Sequence, residues 1–517
     1  MNLVVVHNHF RPGGVRRVIE LALPSIVTWI RPRITRILLL SGEAPEDAWW
    51  RSLRPQLPGV PLVRATHSSL GYLSEQSTAS RVLRQEIPAQ LAAQLDPLAA
   101  AGAVVWAHNQ GLGRNLLLTR ALTETCDRLR FPLLFHHHDW WFDNRWPRWP
   151  EMRASGFRTL AAVAQTIFPA SPWVRHAAIN QAEAALLKRN LGPATAWLPN
   201  PSGHREQPSP EETDTARNWL KRHLKSSDPV WLVPCRLLRR KNLAEALLLA
   251  RWLRPEAWLV TTGGVSSAAE LPYAHELHRA AQKAGWKLRL GLLQNARSHP
   301  PISHLLAASE VVLLTSAQEG FGLPYLEAAA AGRPLIARSL SHIAPDLAKF
   351  GFRFPQCYLD LAVDLSLFDH QAEQRRQRDL FLRWCAALPT PVRRQVPEPA
   401  WWTPTNGSVP FSRLTLTAQL EVLRQPVAAS WSRCAPLNPQ LIAWREAASQ
   451  GRLRPSPWPR RSEAWLGNDA YGERMQRLFA QIAVPPTPAQ SQRCQEDLLN
   501  AKLQSEYLYP LLWNPET

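Results

Sequence analysis

The run Glu310-Val-Val-Leu-Leu-Thr-Ser316 leads through Ala-Gln into Glu319-Gly-Phe-Gly-Leu-Pro-Tyr-Leu-Glu327 and then into Ala-rich sequence. The first part is apolar and β-branched, the pattern of a strand buried on both faces of a parallel sheet. Pro324 suits the first helical position, where its missing N–H would be unpaired in any case. Glu319 is thereby expected on the loop at the carboxyl end of a strand, and Glu327 in the first turn of the next helix. Free backbone N–H groups from Gly320 through Phe321 and Gly322 to Leu323 would face outward at a helix N-terminus, a site suited to an anion. A diphosphate fits there, with a polyhydroxylated group on each flanking carboxylate. An acidic first turn that only complements the helix dipole is the other reading.

This spacing resembles the E-x7-E signature of retaining glycosyltransferases with the two-domain GT-B fold, in particular glycosyltransferase family 4. The resemblance implies that Glu319 contacts the transferred sugar and that Glu327 holds the nucleotide ribose. It also implies that the turn between them presents backbone amides to the sugar and phosphates.

Upstream, Pro229-Val-Trp-Leu-Val-Pro-Cys-Arg236-Leu-Leu-Arg-Arg-Lys241-Asn242 reads as a strand followed by a basic turn, and Ala244-Glu-Ala-Leu-Leu-Leu249 as the start of a helix. The family pattern has an Arg after this strand and a Lys before the helix, which implies donor-binding and catalytic roles for Arg236 and Lys241. A leaving nucleoside diphosphate gains charge as the glycosidic bond breaks, and preorganised cations stabilise that charge most in the transition state. A solvated basic helix start, with Arg239 and Arg240 as neighbours, is the alternative.

The chain opens with the strand pattern Asn2-Leu-Val-Val-Val-His7, then Gly13-Gly14, then Val15, Val18, Ile19 and Ala22 at helical spacing. Strand, paired glycines and helix make the first unit of a doubly wound sheet, and paired glycines let backbone approach a ligand. By resemblance Gly13 and Gly14 face the donor. Gly263 and Gly264, after Val260-Thr-Thr, match the position that leaves room for the nucleotide base.

Other apolar runs read as strands at 37–41, 103–107, 132–135 and 166–169 for a first parallel sheet. Runs at 258–260, 288–290 and 335–337 read as strands of a second. The fold class expected is α/β: GT-B, two Rossmann-like doubly wound domains facing across a cleft, plus a mainly helical C-terminal extension. The expected boundaries are 1–200 for the acceptor-side domain, 201–214 for a linker, 215–426 for the nucleotide-sugar domain and 427–517 for the extension. The resemblance covers about residues 1 to 425.

His136-His137-His138 precede Asp139 and an aromatic run. Adjacent side chains on a strand point to opposite faces, so three consecutive rings are not expected to converge on one ion, and no metal site is expected. The family places a His, often followed by Asp, near the reacting sugar; His138 with Asp139 fits that pattern best, with His137 as fallback, and a structural histidine remains open. His108 and Asn109 also end a strand and are expected either on the acceptor side or in a simple loop turn.

The activity implied is transfer of a sugar from a UDP-, GDP- or ADP-sugar to an acceptor hydroxyl with retention, without a further cofactor. The acceptor is a glycan, a lipid-linked carrier or a small molecule. A same-fold phosphorylase or epimerase, and a non-catalytic nucleotide-, sugar- or nucleic-acid-binding protein, are the alternatives.

Lys and Arg total 60 against 41 Asp and Glu, a net charge of +19 that draws phosphates, anionic lipid included. Nucleic acid as a partner is disfavoured, because no finger, helix-turn-helix or aromatic RNA-binding signature is found. No run approaches 18 apolar residues, the start lacks a signal-peptide pattern, and the six cysteines are scattered. A cytoplasmic protein is expected, with peripheral contact at the inner face of the membrane left open.

Overall fold

The computed structural model describes residues 1–202, 207–265, 267–294, 296, 298–402, 404 and 406–513. The chain forms two compact units, Met1–Gly203 with Arg461–Lys502, and His204–Arg460 with Leu503–Thr517. In the first, strands β1 (Asn2–Val6), β2 (Arg36–Ser41), β3 (Leu62–Thr66), β4 (Ala103–His108), β5 (Leu133–His137), β6 (Val174–Ala178) and β7 (Thr195–Trp197) make one sheet. Its order is β3-β2-β1-β4-β5-β6-β7, and each neighbouring pair is parallel. β1, β4, β5 and β6 are buried along their whole lengths, as a sheet covered by helices on both faces requires.

The second unit repeats the plan with β8 (Val230–Val233), β9 (Trp258–Thr261), β10 (Leu288–Arg289), β11 (Val311–Leu314), β12 (Leu335–Arg338) and β13 (Gln356–Tyr358), in the order β10-β9-β8-β11-β12-β13. A small antiparallel pair, β14 (Ala362–Asp364) and β15 (Ser408–Pro410), adjoins it in sequence. Strand order reverses between β1 and β4 in one sheet and between β8 and β11 in the other. Loops leaving adjacent strands diverge at such a point and open a crevice. The fold is α/β with two Rossmann-like sheets, of the GT-B class.

Several expectations are corrected. Residues 166–169 are not a strand: Thr159 Oγ1 caps a helix at Ala162 N, 3.1 Å away, and Val163, Ala164 and Ile167 form its buried face. The strand comes later, as β6, where Arg175 is buried among apolar neighbours by giving its guanidinium to the Trp173 carbonyl at 2.7 Å. Of the expected linker 201–214, residues 203–206 lie outside the described residues, and Pro210–Leu224 is already helix, opened by a Ser209–Glu212 capping box.

The expected extension 427–517 is divided between the units, because its apolar faces complete different cores. Cys434, Leu441 and Ala448 join the second core, while Tyr471, Met475 and Leu478 join the first. Helix Asn468–Ala480 lies against helix Gly14–Trp29, where Gly472 allows the close approach: a Cβ there would strike Ser25 and Trp29. Helix Pro488–Lys502 is fixed to the first unit by Ser491 Oγ on the Phe168 carbonyl (2.7 Å) and by Lys502 on Glu183 (2.7 Å) and Asp143 (3.3 Å). Leu511 and Trp513 then return to the second unit, with the Trp513 ring 5.1 Å from Phe381. Among the described residues, no helix is long and apolar enough to cross a membrane.

Candidate active site

The second unit's site is built on the two loops that leave β8 and β11. Thr315, just past β11, donates its hydroxyl to the carbonyls of Lys241 (2.9 Å) and Asn242 (3.1 Å), and Ala317 N–H donates to the Arg240 carbonyl at 2.7 Å. These bonds tie the turn Arg239–Lys241 to the loop carrying Glu319. Asn242 takes a left-handed conformation (φ 46°) and starts the helix Leu243–Leu253.

Glu319 is 7% exposed. Its Oε1 contacts Lys241 Nζ and accepts the Ser316 hydroxyl at 2.6 Å; its Oε2 accepts Arg240 Nη1 at 2.9 Å. Arg240 Nη1 also reaches the Gln318 carbonyl at 2.7 Å, and His342 Nε2 lies 2.6 Å from the Glu319 carbonyl. Burial disfavours the carboxylate, but Lys241 and Arg240 outweigh it and hold the pKa at about 2. The side chain is therefore a fixed anion at neutral pH, unsuited to donate a proton and suited to orient hydroxyls or steady developing positive charge.

Lys241 is thus drawn to Glu319, and its partner cation is Arg240, which the sequence reading treated as a mere neighbour. Arg236 is exposed on the same loop. It lies beside Gly263, where a Cβ would sit 3.1 Å from both Arg236 Cγ and the Cys235 carbonyl. Gly263 N–H bonds the Cys235 carbonyl at 2.8 Å, and Leu237 N–H bonds that of Gly264 at 3.0 Å. A Cβ on Gly264 would strike the Gln294 side chain. These two glycines let the loops after β8 and β9 lie back to back.

The turn itself has distinct roles along its length. Gly320 is half-buried; the Phe321 ring is buried, 6.3 Å from that of Phe350. Gly322, at φ 81°, caps the helix Leu323–Ala330 in a conformation that favours glycine. Pro324 is the second helical residue rather than the first. Glu327 is the fifth, half-buried and one turn in rather than in the first turn, because the cap falls at Gly322. Beneath the turn, the fully buried Glu245 accepts Arg338 Nη2 (2.6 Å to Oε2), Tyr358 Oη (2.6 Å) and Asn242 Nδ2 (2.9 Å).

In the first unit, Gly13 and Gly14 are exposed, and among the described residues nothing lies within 4 Å of a Cβ built on Gly14. Packing within the unit does not demand glycine there, which leaves that stretch of backbone open. Across the switch point, Asn109 is left-handed (φ 65°), and its Oδ1 accepts the N–H groups of His138 (3.1 Å) and Asp139 (2.9 Å). Asp139 in turn pairs with Arg145 at 3.2 Å. His137 points to the opposite face of β5, where its Nε2 meets His176 Nδ1 at 3.1 Å.

His136 and His138 share a face, and His108 arrives from β4, paired in register with His136. The three can offer ring nitrogens lying within 4.8 Å of one another. The three adjacent rings of the run do not converge, because His137 faces away; the cluster takes its third ring from the neighbouring strand. Burial keeps all three imidazoles neutral, with His136 lowered to about 3 and the other two well below their usual range.

Residues 216–353 match the family model described as "Glycosyl transferases group 1". The chain is 24% identical over 361 residues to mannosylglucosyl-3-phosphoglycerate synthase of Petrotoga mobilis, a match spanning 66% of each protein, just under two-thirds of that relative's length. Sucrose-phosphate synthase from Thermosynechococcus elongatus aligns with 93% of this chain and 98% of its own at 16% identity, with a TM-score of 0.52, a likeness of fold. HepE of Anabaena, solved in complex with UDP-glucose, aligns with 87% of this chain and 98% of its own at 15% identity and a TM-score of 0.47.

The stretch matched by that family model lies within the second unit and carries Lys241, Glu319 and Glu327.

Proposed function

We propose that this chain transfers a hexosyl group from a nucleotide sugar to an acceptor hydroxyl with retention of anomeric configuration, in the manner of glycosyltransferase family 4. The observation that carries the reading is Glu319: a buried, permanently ionised carboxylate at the switch point of the second sheet, between two cations. In this reading Glu319 holds hydroxyls of the transferred sugar and steadies positive charge at the anomeric carbon. Lys241, Arg240 and the exposed Arg236 receive the diphosphate as the glycosidic bond breaks. Amides from Gly320 to Leu323 meet the phosphates, Glu327 takes the ribose hydroxyls, and the base lies by Gly263 and Gly264.

From the first unit, Gly13 and Gly14 meet the donor, and His108, Asn109, His138 and Asp139 shape the acceptor side. The acceptor oxygen attacks the face the nucleotide leaves, and the departing phosphate takes its proton. No protein nucleophile and no bound metal is needed at the reacting carbon. The acceptor is a glycan, a lipid-linked carrier or a small molecule, and the place of action is the cytoplasm or its membrane face.

The test is to incubate the protein with UDP-, GDP- and ADP-hexoses and a panel of hydroxyl acceptors, reading nucleotide release and the product's anomeric configuration by NMR. The expected result is release from one nucleotide class, lost in Glu319→Ala, with an anomer that matches the donor. An inverted anomer would refute retention, and no release from any donor that demonstrably binds would refute transfer.

A further inference from the structure

We propose that His108, His136 and His138 form a binding site for a zinc-class divalent metal ion at the switch point of the first sheet. A buried polar group normally finds a partner, yet His136 Nδ1 is fully buried and has none. One contact joins the trio, His108 Nδ1 to His138 Nε2 at 3.0 Å, and it engages only one nitrogen of each of those two rings. That separation is a few tenths of an ångström inside the edge of about 3.3–3.4 Å between two ligands on one tetrahedral ion at bonds of about 2.0–2.1 Å. A hydrogen-bonded cluster alone leaves the His136 nitrogen unexplained.

The surroundings match what a metal ligand needs. His136 Nε2 lies 3.3 Å from the Leu198 carbonyl, so that nitrogen carries the proton and Nδ1 keeps its lone pair. A ligating histidine ordinarily gives its other N–H to a backbone carbonyl in this way. Three imidazoles with no carboxylate select zinc, copper or nickel over magnesium or calcium, and three protein ligands leave a position for water.

The ligands come from β4 and from the end of β5, whose exits are already pinned by Asn109 on the His138 and Asp139 amides. An ion would lock those exits together and so fix the loop expected to face the acceptor. The site does not depend on the transferase reading and stands or falls separately from it.

The experiment uses the full-length protein, stripped with chelator, and titrates zinc ion against a chromophoric chelator. One equivalent is expected to bind at sub-micromolar concentration. His136→Ala and His108→Ala should weaken that binding about 100-fold or more, since even outer partners of a ligand contribute 10–100-fold. His137→Ala, on the other face of the strand, should leave it unchanged. Binding only at tens of micromolar, or equal binding by all variants, would overturn the site in favour of scattered surface histidines. Should the alanine variants fail to fold, cobalt ion added to the wild type decides: visible bands of a nitrogen-ligated site that zinc abolishes support the proposal, and their absence overturns it.

Discussion

Lys241→Met removes the nearer cation from Glu319 while keeping most of the side chain's volume. A buried carboxyl at about 2 when folded, against about 4.5 when unfolded, contributes about 3 kcal/mol at neutral pH, at about 1.36 kcal/mol per pH unit. The folded value is depressed, so this stability is fully present above pH 4.5 and is lost as pH falls from there toward 2. Lys241 is the stronger of the two attractions and Arg240 remains, so the variant should lose about 2 kcal/mol, somewhat less than the 3–5 kcal/mol typical of stripping a buried charge bare. Urea unfolding at pH 7 should show that loss, and at pH 3 the gap between wild type and variant should shrink. Adding Glu319→Gln to the variant should recover part of the loss, because the orphaned charge is then gone. A variant within about 0.5 kcal/mol of wild type at pH 7, or a double variant destabilised by the full sum of its parts, would refute the account of a carboxylate held ionised by its neighbours.

Three other outcomes follow from the same geometry. Arg240→Ala should lower kcat/KM by about 100-fold or more in the transfer assay, the usual cost of one preorganised charge partner; a loss below about 5-fold would return Arg240 to the status of a bystander. Gly322→Ala should destabilise by about 1–3 kcal/mol in urea, because its φ is 81° and its Cβ would lie 2.9 Å from the Tyr325 ring. An unchanged midpoint would show that the turn can relax. Lys502→Met leaves Asp143 and Glu183 buried without their shared cation. It should cost about 3–5 kcal/mol of stability, and a loss under about 1 kcal/mol would mean that water reaches the two carboxylates.

Much of the fold is legible because its central strands are unbroken apolar runs. Leu3 through Val6 and Val311 through Leu314 could hardly be anything but buried parallel strands. β6 is not legible in that way. Val-Arg-His-Ala-Ala reads as polar until the Arg175 guanidinium is seen to be satisfied by backbone carbonyls. Residues 166–169 mislead in the opposite direction, since the same apolar run serves equally as the last turn of a helix, and only the cap at Thr159 decides. The C-terminal segment defeats composition altogether. Its helices resemble one another in content, and which core each one completes depends on close approaches such as Gly472 on Ser25, between residues more than four hundred positions apart.

The site divides along the same line. Glu319, Glu327, Gly322 and Lys241 are visible as a motif because local backbone requirements fix their spacing. Arg240 is not, since a run Leu-Leu-Arg-Arg-Lys offers three cations and no local reason to prefer one. What selects it is the pairing of β8 with β11, which brings the Arg240 carbonyl under Ala317 N–H and the Lys241 and Asn242 carbonyls under Thr315. With those backbone bonds in place, the cations of that turn that reach Glu319 are Arg240 and Lys241. Glu245 then holds Asn242 from below while spending its remaining charge on Arg338. The left-handed residue at the start of the helix is thereby clamped on both sides. The electrostatics at Glu319 are consequently a property of two strands meeting at a reversal of sheet order. The same logic brings His108 beside His136 in the other sheet, where the register of β4 on β5 sets two rings side by side.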